Sequence, residues 1–192
     1  MRRTVSIITL AIVLAIGFVS EASAQQISSM VATVAKTEHK AAVKKTPTAK
    51  QGKFYFKSAD KMCLSVDNEK LIMSGTTYTI VKGSRKSVAK GEMIELFRPL
   101  QSVLKSVITK SGINSLSSIS GVSVAKSGNT TTITITPNVK AKRPLFSSFV
   151  VTLNAKTSEL QTIRMNSKGG NYTEYVLSAC TYNSAVDDTL FK

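Results

Sequence analysis

The side chains that commonly perform covalent or metal chemistry are few and scattered in this sequence of 192 residues. His39 is the only histidine; it stands between Glu38 and Lys40, with no His/Cys/Asp/Glu spacing typical of a metal site. Asp187 and Asp188 are adjacent, so in a strand their carboxylates would point to opposite sides, unlike the paired acids of a glycosidase. We therefore expect a protein that is not an enzyme and needs no metal or cofactor.

Two cysteines, Cys63 and Cys180, are the other candidates for covalent chemistry. Neither lies in the context of a cysteine protease, and His39 is no obvious partner for either thiol. In an oxidising compartment the two could form a disulfide, provided that their Cα atoms come within about 7 Å. A bridge between Cys63 and Cys180 is therefore possible, and the sequence leaves its formation open.

Residues 1–24 have the pattern of a cleavable export signal. Arg2 and Arg3 precede an uncharged apolar run at 5–19, which is short against the about 20 residues that a membrane-spanning helix needs. Ala22 and Ala24 then supply the small residues of a signal peptidase site. We predict cleavage after Ala24, a periplasmic location, and one mature domain at 25–192. An uncleaved N-terminal anchor is the alternative.

The chain is strongly basic, with a formal net charge of +15 and a pI of about 10.0. Such a charge favours solubility and attracts polyanions. An exported protein rarely meets nucleic acid, so nucleic acid is not expected as a partner. The basic residues are dispersed, which is typical of an ordinary solvated surface. An acidic membrane surface or an acidic partner is the more specific interpretation.

The mature sequence predicts strands, then helices, then strands again, which indicates a mainly β domain of the α+β class. Residues 25–30 are interpreted as the end of a short helix. Alternating apolar and polar positions between turn signals predict strands at 31–40, 52–57, 61–66, 71–73, 77–81, 122–124, 130–136, 149–153, 160–165 and 172–182. These strands are expected to form one antiparallel sheet interrupted by a helical insertion.

The insertion contains apolar residues at spacings of three and four over 93–108, which predicts a long amphipathic helix. Pro99 should kink or split this helix. Ile113, Leu116 and Ile119 recur at a spacing of three and predict a second, shorter helix. A helix of this kind can seal a core or cover an apolar cavity, and the pattern alone favours the sealed core.

Several segments resemble a known family when taken in order. Residues 51–62 resemble the G-x-F-x-F-x-K-P-x-K-x segment of the periplasmic outer-membrane lipoprotein carrier family (LolA-like). Further segments are similar to the start, the second hairpin, the break before the late strands, and the closing strands and tail of that family: 27–36, 71–78, Pro137 with 143–146, 160–165, 171–173 and 183–191.

The resemblance implies a strongly curved, unclosed antiparallel sheet, or half-barrel, with an inserted helical lid. It implies an apolar cavity that holds the acyl chains of lipoproteins or related lipids on the way to the outer membrane. The implied partners are an inner-membrane lipoprotein-releasing transporter and an outer-membrane acceptor, with the carrier acting as a monomer. The candidate residues lining the cavity are Phe54, Phe56, Met62, Leu64, Met73, Ile80, Met93, Leu96, Phe97, Leu100, Leu104, Ile135, Val151 and Met165.

The sequence departs from the family at one place. Many relatives have a basic residue followed by proline after the F-x-F strand, where this chain has Ser58 and Ala59. The way in which this chain would release a cargo is therefore open. Two other functions also remain: an exported β-rich module that binds an acidic envelope partner through its basic surface without a lipid cavity, and an envelope hydrolase with polar groups converging in a cleft.

Overall fold

Eleven strands and one α-helix form the framework of the computed structural model, which describes residues 26–43, 46–58, 60–138 and 145–192. The predicted cleavage site after Ala24 and residues 143–144 of the family resemblance lie outside this part of the chain. Helix α1 (Glu92–Ile108) follows the sixth strand, and 3-10 helices span Ile113–Ser118, Lys168–Gly170 and Asp188–Phe191. The strands are β1 (Ser29–His39), β2 (Lys50–Lys57), β3 (Lys61–Val66), β4 (Glu69–Ser74), β5 (Thr77–Lys82), β6 (Arg85–Val88), β7 (Val122–Ser127), β8 (Thr130–Ile135), β9 (Ser148–Asn154), β10 (Leu160–Asn166) and β11 (Tyr172–Tyr182).

The eleven strands form one antiparallel sheet in the order β6-β5-β4-β3-β2-β1-β11-β10-β9-β8-β7. The chain enters the sheet in its middle at β1, runs outward to the edge strand β6, and reaches the opposite edge through α1. It then returns through β7 to β11, which pairs with β1. Because α1 joins the two edges, it must lie across one face of the sheet. The predicted fold class is confirmed.

The sheet is curved around α1, as the contacts of a single aromatic ring demonstrate. The centroid of the Phe97 ring on α1 lies 5.9 Å from that of Tyr78 on β5 and 6.0 Å from that of Phe149 on β9. In a flat sheet these two strands would be about 34 Å apart, since seven spacings of about 4.8 Å separate them. The two halves of the sheet therefore bend toward each other, as in a half-barrel, while β6 and β7 remain unpaired edges.

The concave face is apolar because the strands keep the two-residue period of the sequence. Phe149, Val151 and Leu153 on β9 are fully or almost fully buried, and the residues between them are less so. The packing is tight at Gly52 on β2, where an added Cβ would clash with the carbonyl oxygen of Ser65 and with Val66 on β3. Glycine at this position lets β2 and β3 keep their register.

The chain enters the sheet earlier than predicted. Residues 26–28 are irregular and β1 begins at Ser29, so the helix end predicted for this segment is wrong within the described residues. Met30 pairs with Phe56 on β2 and with Tyr182 on β11, and its side chain is fully buried. The ladder bonds to two neighbouring strands outweigh the weak local preference for a helix.

Helix α1 runs without a break through Pro99, so the predicted split does not occur. Proline has no N–H, which leaves the carbonyl of Glu95 without its partner inside the helix. Leu96, Phe97 and Leu100 on either side of it are buried against the sheet, and this packing holds the helix together. The second predicted helix is present as the 3-10 helix Ile113–Ser118, whose period of three matches the apolar spacing.

Strand β6 (Arg85–Val88) was absent from the predicted elements. Every residue in it is exposed, so it carries none of the alternation by which the other strands are recognised. It forms only because the backbone continues the hairpin after Gly83 and pairs Val88 with Thr79. Its two basic residues also make this edge a poor template for pairing with another chain.

Candidate functional site

The predicted lining residues converge on the concave face under α1. With two exceptions they are buried members of one apolar cluster that joins both halves of the sheet to the helix. Ile80 is partly buried and packs against this cluster. Met93 does not join it, because it lies at the start of α1 with 37% of its surface exposed. Met93 is therefore not placed as a lining residue.

Side chains fill most of the space between α1 and the sheet. The inner face of the helix buries its apolar residues, and Phe97 contacts Phe146 and Phe149 at ring-centroid distances of 6.0 Å as well as Tyr78. In this conformation the middle of the concave face is a closed core rather than a hollow. The sealed core favoured by the sequence pattern describes this part of the molecule.

One polar group interrupts the apolar face of α1. Gln101 is only 6% exposed, its Nε2 donates to the carbonyl oxygen of Asp60 at 2.8 Å, and its Oε1 accepts from the Tyr78 hydroxyl at 2.7 Å. Lys105, one turn further along, lies 2.7 Å from the carboxylate of Asp60. We call Asp60, Tyr78, Gln101 and Lys105 the Gln101 cluster. It ties α1 to the turn between β2 and β3 and to β5.

The sequence analysis did not find the Gln101 cluster. The available signal was a glutamine directly after Leu100 and three residues before Leu104, both predicted to face inward. A polar residue at such a position is costly to bury unless it has hydrogen-bond partners. Its partners on β5 and in the β2–β3 turn could not be identified without the fold.

An open pocket of about 270 Å³ lies beside the N-terminal half of α1. Its volume falls just below the about 300–1,000 Å³ that is usual for ligand pockets. Leu64, Ile80, Phe97 and Met165, all predicted lining residues, contribute to its wall. The other apolar residues of the wall are Val66, Leu71, Val81, Leu145 and Phe146. At this pocket the apolar interior opens to solvent.

A charged rim borders this pocket. Lys36 on β1 is 5% exposed, and its Nζ lies 2.6 Å from Glu38 and 2.5 Å from Glu69. Lys82 on β5 lies 3.4 Å from the other carboxylate oxygen of Glu69. We call Lys36, Glu38, Glu69 and Lys82 the charged rim. Tyr175 and Lys70 also border the pocket. Lys70 alternates with the inward residues Glu69 and Leu71 on β4, so its side chain points to the convex face and is not part of the rim.

The ionisation of the rim follows from these contacts. Burial lowers the pKa of Lys36, but its hydrogen bonds to Glu38 and Glu69 outweigh burial, and the pKa is raised overall. The hydrogen bond from Lys36 lowers the pKa of Glu38 and that of Glu69. Burial raises the pKa of Tyr175 to about 12. At neutral pH the rim therefore carries two positive and two negative charges beside a neutral phenol.

The two cysteines are free thiols and do not form the possible disulfide. Cys63 on β3 is buried on the convex face with Ile72 and Phe191, whereas Cys180 on β11 packs against the concave cluster. Three strand spacings separate β3 from β11, which is about 14 Å at about 4.8 Å each. Burial raises the pKa of the Cys63 thiol to about 11, which makes it a poor nucleophile.

No metal centre is assembled in the part of the chain that the structure describes. Within it, no group of three or more His, Cys, Asp or Glu residues could hold a metal ion. His39 stacks on Tyr172 with ring centroids 4.2 Å apart, and the guanidinium of Arg164 lies 4.3 Å from the same ring. Across residues 26–43, 46–58, 60–138 and 145–192 no helix is long and apolar enough to span a membrane.

A curved, open sheet with an apolar concave face, one helix laid across it and an open pocket defines a half-barrel of the binding-protein type. The chain belongs to the family described as outer membrane lipoprotein carrier protein LolA, whose model matches residues 25–192. The family resemblance recognised in the sequence is thereby confirmed. The members of this family are carrier or binding proteins. No curated protein matches the chain in sequence.

Several solved structures align with most of this chain. A DUF1329 family protein from Desulfovibrio piger is 11% identical, with a TM-score of 0.49 over 88% of this chain and 91% of that one. A LolA superfamily protein from Nitrosomonas europaea is 8% identical, with a TM-score of 0.41 over 86% and 90% of the two chains. The lipoprotein LppX from Mycobacterium tuberculosis is 14% identical, with a TM-score of 0.34 over 84% and 89%.

Proposed function

We propose that this protein is a periplasmic carrier that binds the acyl chains of lipoproteins or related lipids between its curved sheet and α1 and carries them toward the outer membrane. The observation that supports this most is an apolar concave face, covered by a single helix, in a chain of the lipoprotein carrier family. The proposed function needs no cofactor and no catalytic residue. It includes removal of the signal after Ala24, an inner-membrane transporter that loads the carrier and an outer-membrane acceptor that unloads it.

Cargo binding requires that α1 move away from the sheet. Each buried methylene contributes about 0.8 kcal/mol, so an acyl chain gains much by replacing the contacts that α1 makes in the closed form. Phe97, Leu100 and Leu104 on α1 are fully or almost fully buried, and they would exchange sheet contacts for chain contacts. The structure whose core is filled by side chains is then the closed state of the carrier, without cargo.

The Gln101 cluster is the contact that holds α1 closed in this proposal. Ser58 and Ala59 stand in the sequence where many relatives have a basic residue and proline after the F-x-F strand. In this chain the donors are on the helix instead: Gln101 and Lys105 reach the β2–β3 turn, at Asp60. Few polar contacts have to break when α1 lifts, so the cluster can be stable in the closed state without preventing loading.

Mass spectrometry of the native protein tests the proposed function. Protein purified from the envelope fraction, and protein mixed with a purified acylated lipoprotein, should both carry bound acyl chains. The variant Leu100→Glu places a charge on the inner face of α1 and should lose binding by more than its folded fraction explains. Met93→Glu adds the same charge to the exposed side of the same helix and is the matched control.

Two results would count against this function. If neither the native protein nor the reconstituted mixture carries an acyl chain, the carrier role is wrong. If binding and folding fall equally in Leu100→Glu, α1 belongs to a permanently closed core. In either case, strongly salt-dependent binding to an acidic polymer would favour the exported interaction module, because screening by salt weakens contacts made through surface charge.

A further inference from the structure

The concave face changes from apolar to charged at one level of the sheet. Along β1 the inward positions Met30, Ala32 and Val34 are apolar and fully buried, and the next two inward positions are Lys36 and Glu38. Successive inward positions are about 6.6 Å apart along a strand. The apolar surface of β1 therefore ends within one such step.

The same change occurs on the other strands that border the pocket. On β4 the inward residue Leu71 is followed toward the pocket mouth by Glu69, and on β5 Ile80 is followed by Lys82. On β11 the step is from Leu177 to Tyr175. The pocket thus has an apolar wall on its inner side and the charged rim at its mouth. This arrangement suits an amphiphile whose tail points inward and whose head group stays at the rim.

The charges of the rim balance one another, although the whole chain has a formal net charge of +15. Lys36 contacts both glutamates, and Lys82 contacts Glu69. Neither cation is therefore free to pair with an anionic head group without giving up an existing partner. A cationic head group would likewise meet a lysine beside each glutamate. The rim selects against a full charge of either sign.

The volume sets the length of chain that the closed form can take. A dry cavity of about 150 Å³ holds one benzene molecule, so a pocket of about 270 Å³ corresponds to about ten carbons. This is enough to seat the end of one acyl chain without moving α1. The pocket is thus suited to first contact with a chain before the helix lifts.

We infer that this pocket is the entry site for a single acyl chain and that its charged rim selects amphiphiles with a net-neutral, hydrogen-bonding head group, such as one built from esters, amides or hydroxyls. The inference rests on the proposed function, since it assumes that the concave face binds acyl chains. It separates two roles of charge in the molecule. The basic surface attracts the protein to negatively charged surfaces, and the balanced rim selects ligands by the charge of their head group.

Calorimetric titration of the wild-type protein with amphiphiles that share a dodecyl or lauroyl chain tests this inference. The probes are monolauroylglycerol, dodecyl phosphate and dodecyltrimethylammonium, each below its critical micelle concentration. At about 0.15 M salt, where the long-range field of the protein is screened, the neutral probe should bind about tenfold or more tightly than either charged probe. Tighter binding of dodecyl phosphate by the wild type would overturn the inference.

The double variant Glu38→Gln with Glu69→Gln sharpens the test. It keeps the shape of the rim and the acceptors for Lys36 but leaves two unopposed cations, so the preference should move about tenfold toward dodecyl phosphate. Asp67→Asn is the control for charge removed elsewhere, because Asp67 pairs with Lys50 and does not border the pocket. It removes one negative charge where the double variant removes two, so a shift per removed charge as large as in the double variant would indicate an effect of net charge and would contradict a selective rim.

The inference and the proposed function can fail separately. If no dodecyl probe binds but the protein takes up chains from an acylated lipoprotein, the entry site is wrong and the carrier role stands. If neither the probes nor the lipoprotein bind, the carrier role fails, and the inference fails with it.

Discussion

The two parts of the concave face differ in their exposure to water. Under the middle of α1 the apolar side chains of sheet and helix fill most of the space, and the only buried polar group on the helix, Gln101, has both ends hydrogen-bonded. Beside the N-terminal half of the helix the same strands continue into an open pocket bordered by the charged rim. One sheet face thus carries a closed core and an amphiphilic opening.

This difference indicates where a ligand first contacts the protein and where its inner end lies once it is bound. An acyl chain can approach the open part without disturbing the fold of the protein. To go deeper it must replace contacts of α1, and the closed part resists this in proportion to the apolar area buried there. The predictions below test whether the two parts have the separate energetic roles that their contacts suggest.

The largest effect is expected from Phe97→Ala, because Phe97 is the residue that both parts share. Its ring is fully buried, contacts Tyr78 and Phe149, and forms part of the pocket wall. We expect the free energy of unfolding to fall by about 3–5 kcal/mol, measured by urea denaturation. Met93→Ala on the exposed side of α1 should change it by less than about 0.5 kcal/mol.

A decrease of less than about 1 kcal/mol in the unfolding free energy of Phe97→Ala would contradict a closed core at this position. A cavity of this size in a close-packed interior usually destabilises a protein by more than that. The same result would place α1 away from the sheet for a substantial part of the time. The closed part would then be closed in only a fraction of the molecules at any time, and would not be a permanent feature of the structure.

Much of the closed part could be predicted from the sequence. The spacing of Leu96, Phe97, Leu100 and Leu104 predicts the inner face of α1 because a helix has a fixed period, and the two-residue alternation on the strands predicts their buried side. Met93 follows the same spacing yet is exposed. It belongs to the first turn, and the sequence cannot tell where the sheet beneath a helix ends.

The open part could not be predicted, because it depends on residues from strands far apart in the chain. Lys36, Glu69 and Lys82 look like ordinary surface charges in the sequence. They meet only because β1, β4 and β5 bend toward one another. The family resemblance led correctly to the half-barrel fold. A disulfide between Cys63 and Cys180 remained possible for the same reason, since the strands between them are set by topology and not by spacing.

A medium effect is expected from Gln101→Leu in the closed part. The substitution keeps the volume but leaves the Tyr78 hydroxyl and the carbonyl of Asp60 without their partner, which costs about 1–3 kcal/mol. Hydrogen exchange along α1 should accelerate correspondingly. In a double-mutant cycle with Tyr78→Phe, the two changes should couple by about 0.5–1.5 kcal/mol.

The same variant separates stability from function. If the Gln101 cluster holds α1 closed, Gln101→Leu should take up acyl chains faster than the wild type at equal protein concentration. Lys105→Met, at the exposed end of the same cluster, should change the unfolding free energy by less than about 1 kcal/mol. Slower uptake by Gln101→Leu would mean that the contact serves the loaded state instead.

The smallest effect is expected from acid acting on the open part. The folded-state pKa values of Glu38 and Glu69 are lowered by Lys36, so their contribution to stability is present above the unfolded value of about 4.3 and is lost as the pH falls through the lowered folded values. The amide signals of β1 and β4 near the rim should then shift in NMR spectra with a midpoint below about 4.3, while those of β9, which contains no acidic residue, stay in place. In Lys36→Met the midpoint of this pH-dependent shift should move up toward the ordinary pKa of glutamate. An unchanged midpoint would mean that Lys36 does not organise the rim. The charge balance would then no longer distinguish the open part from the rest of this basic surface.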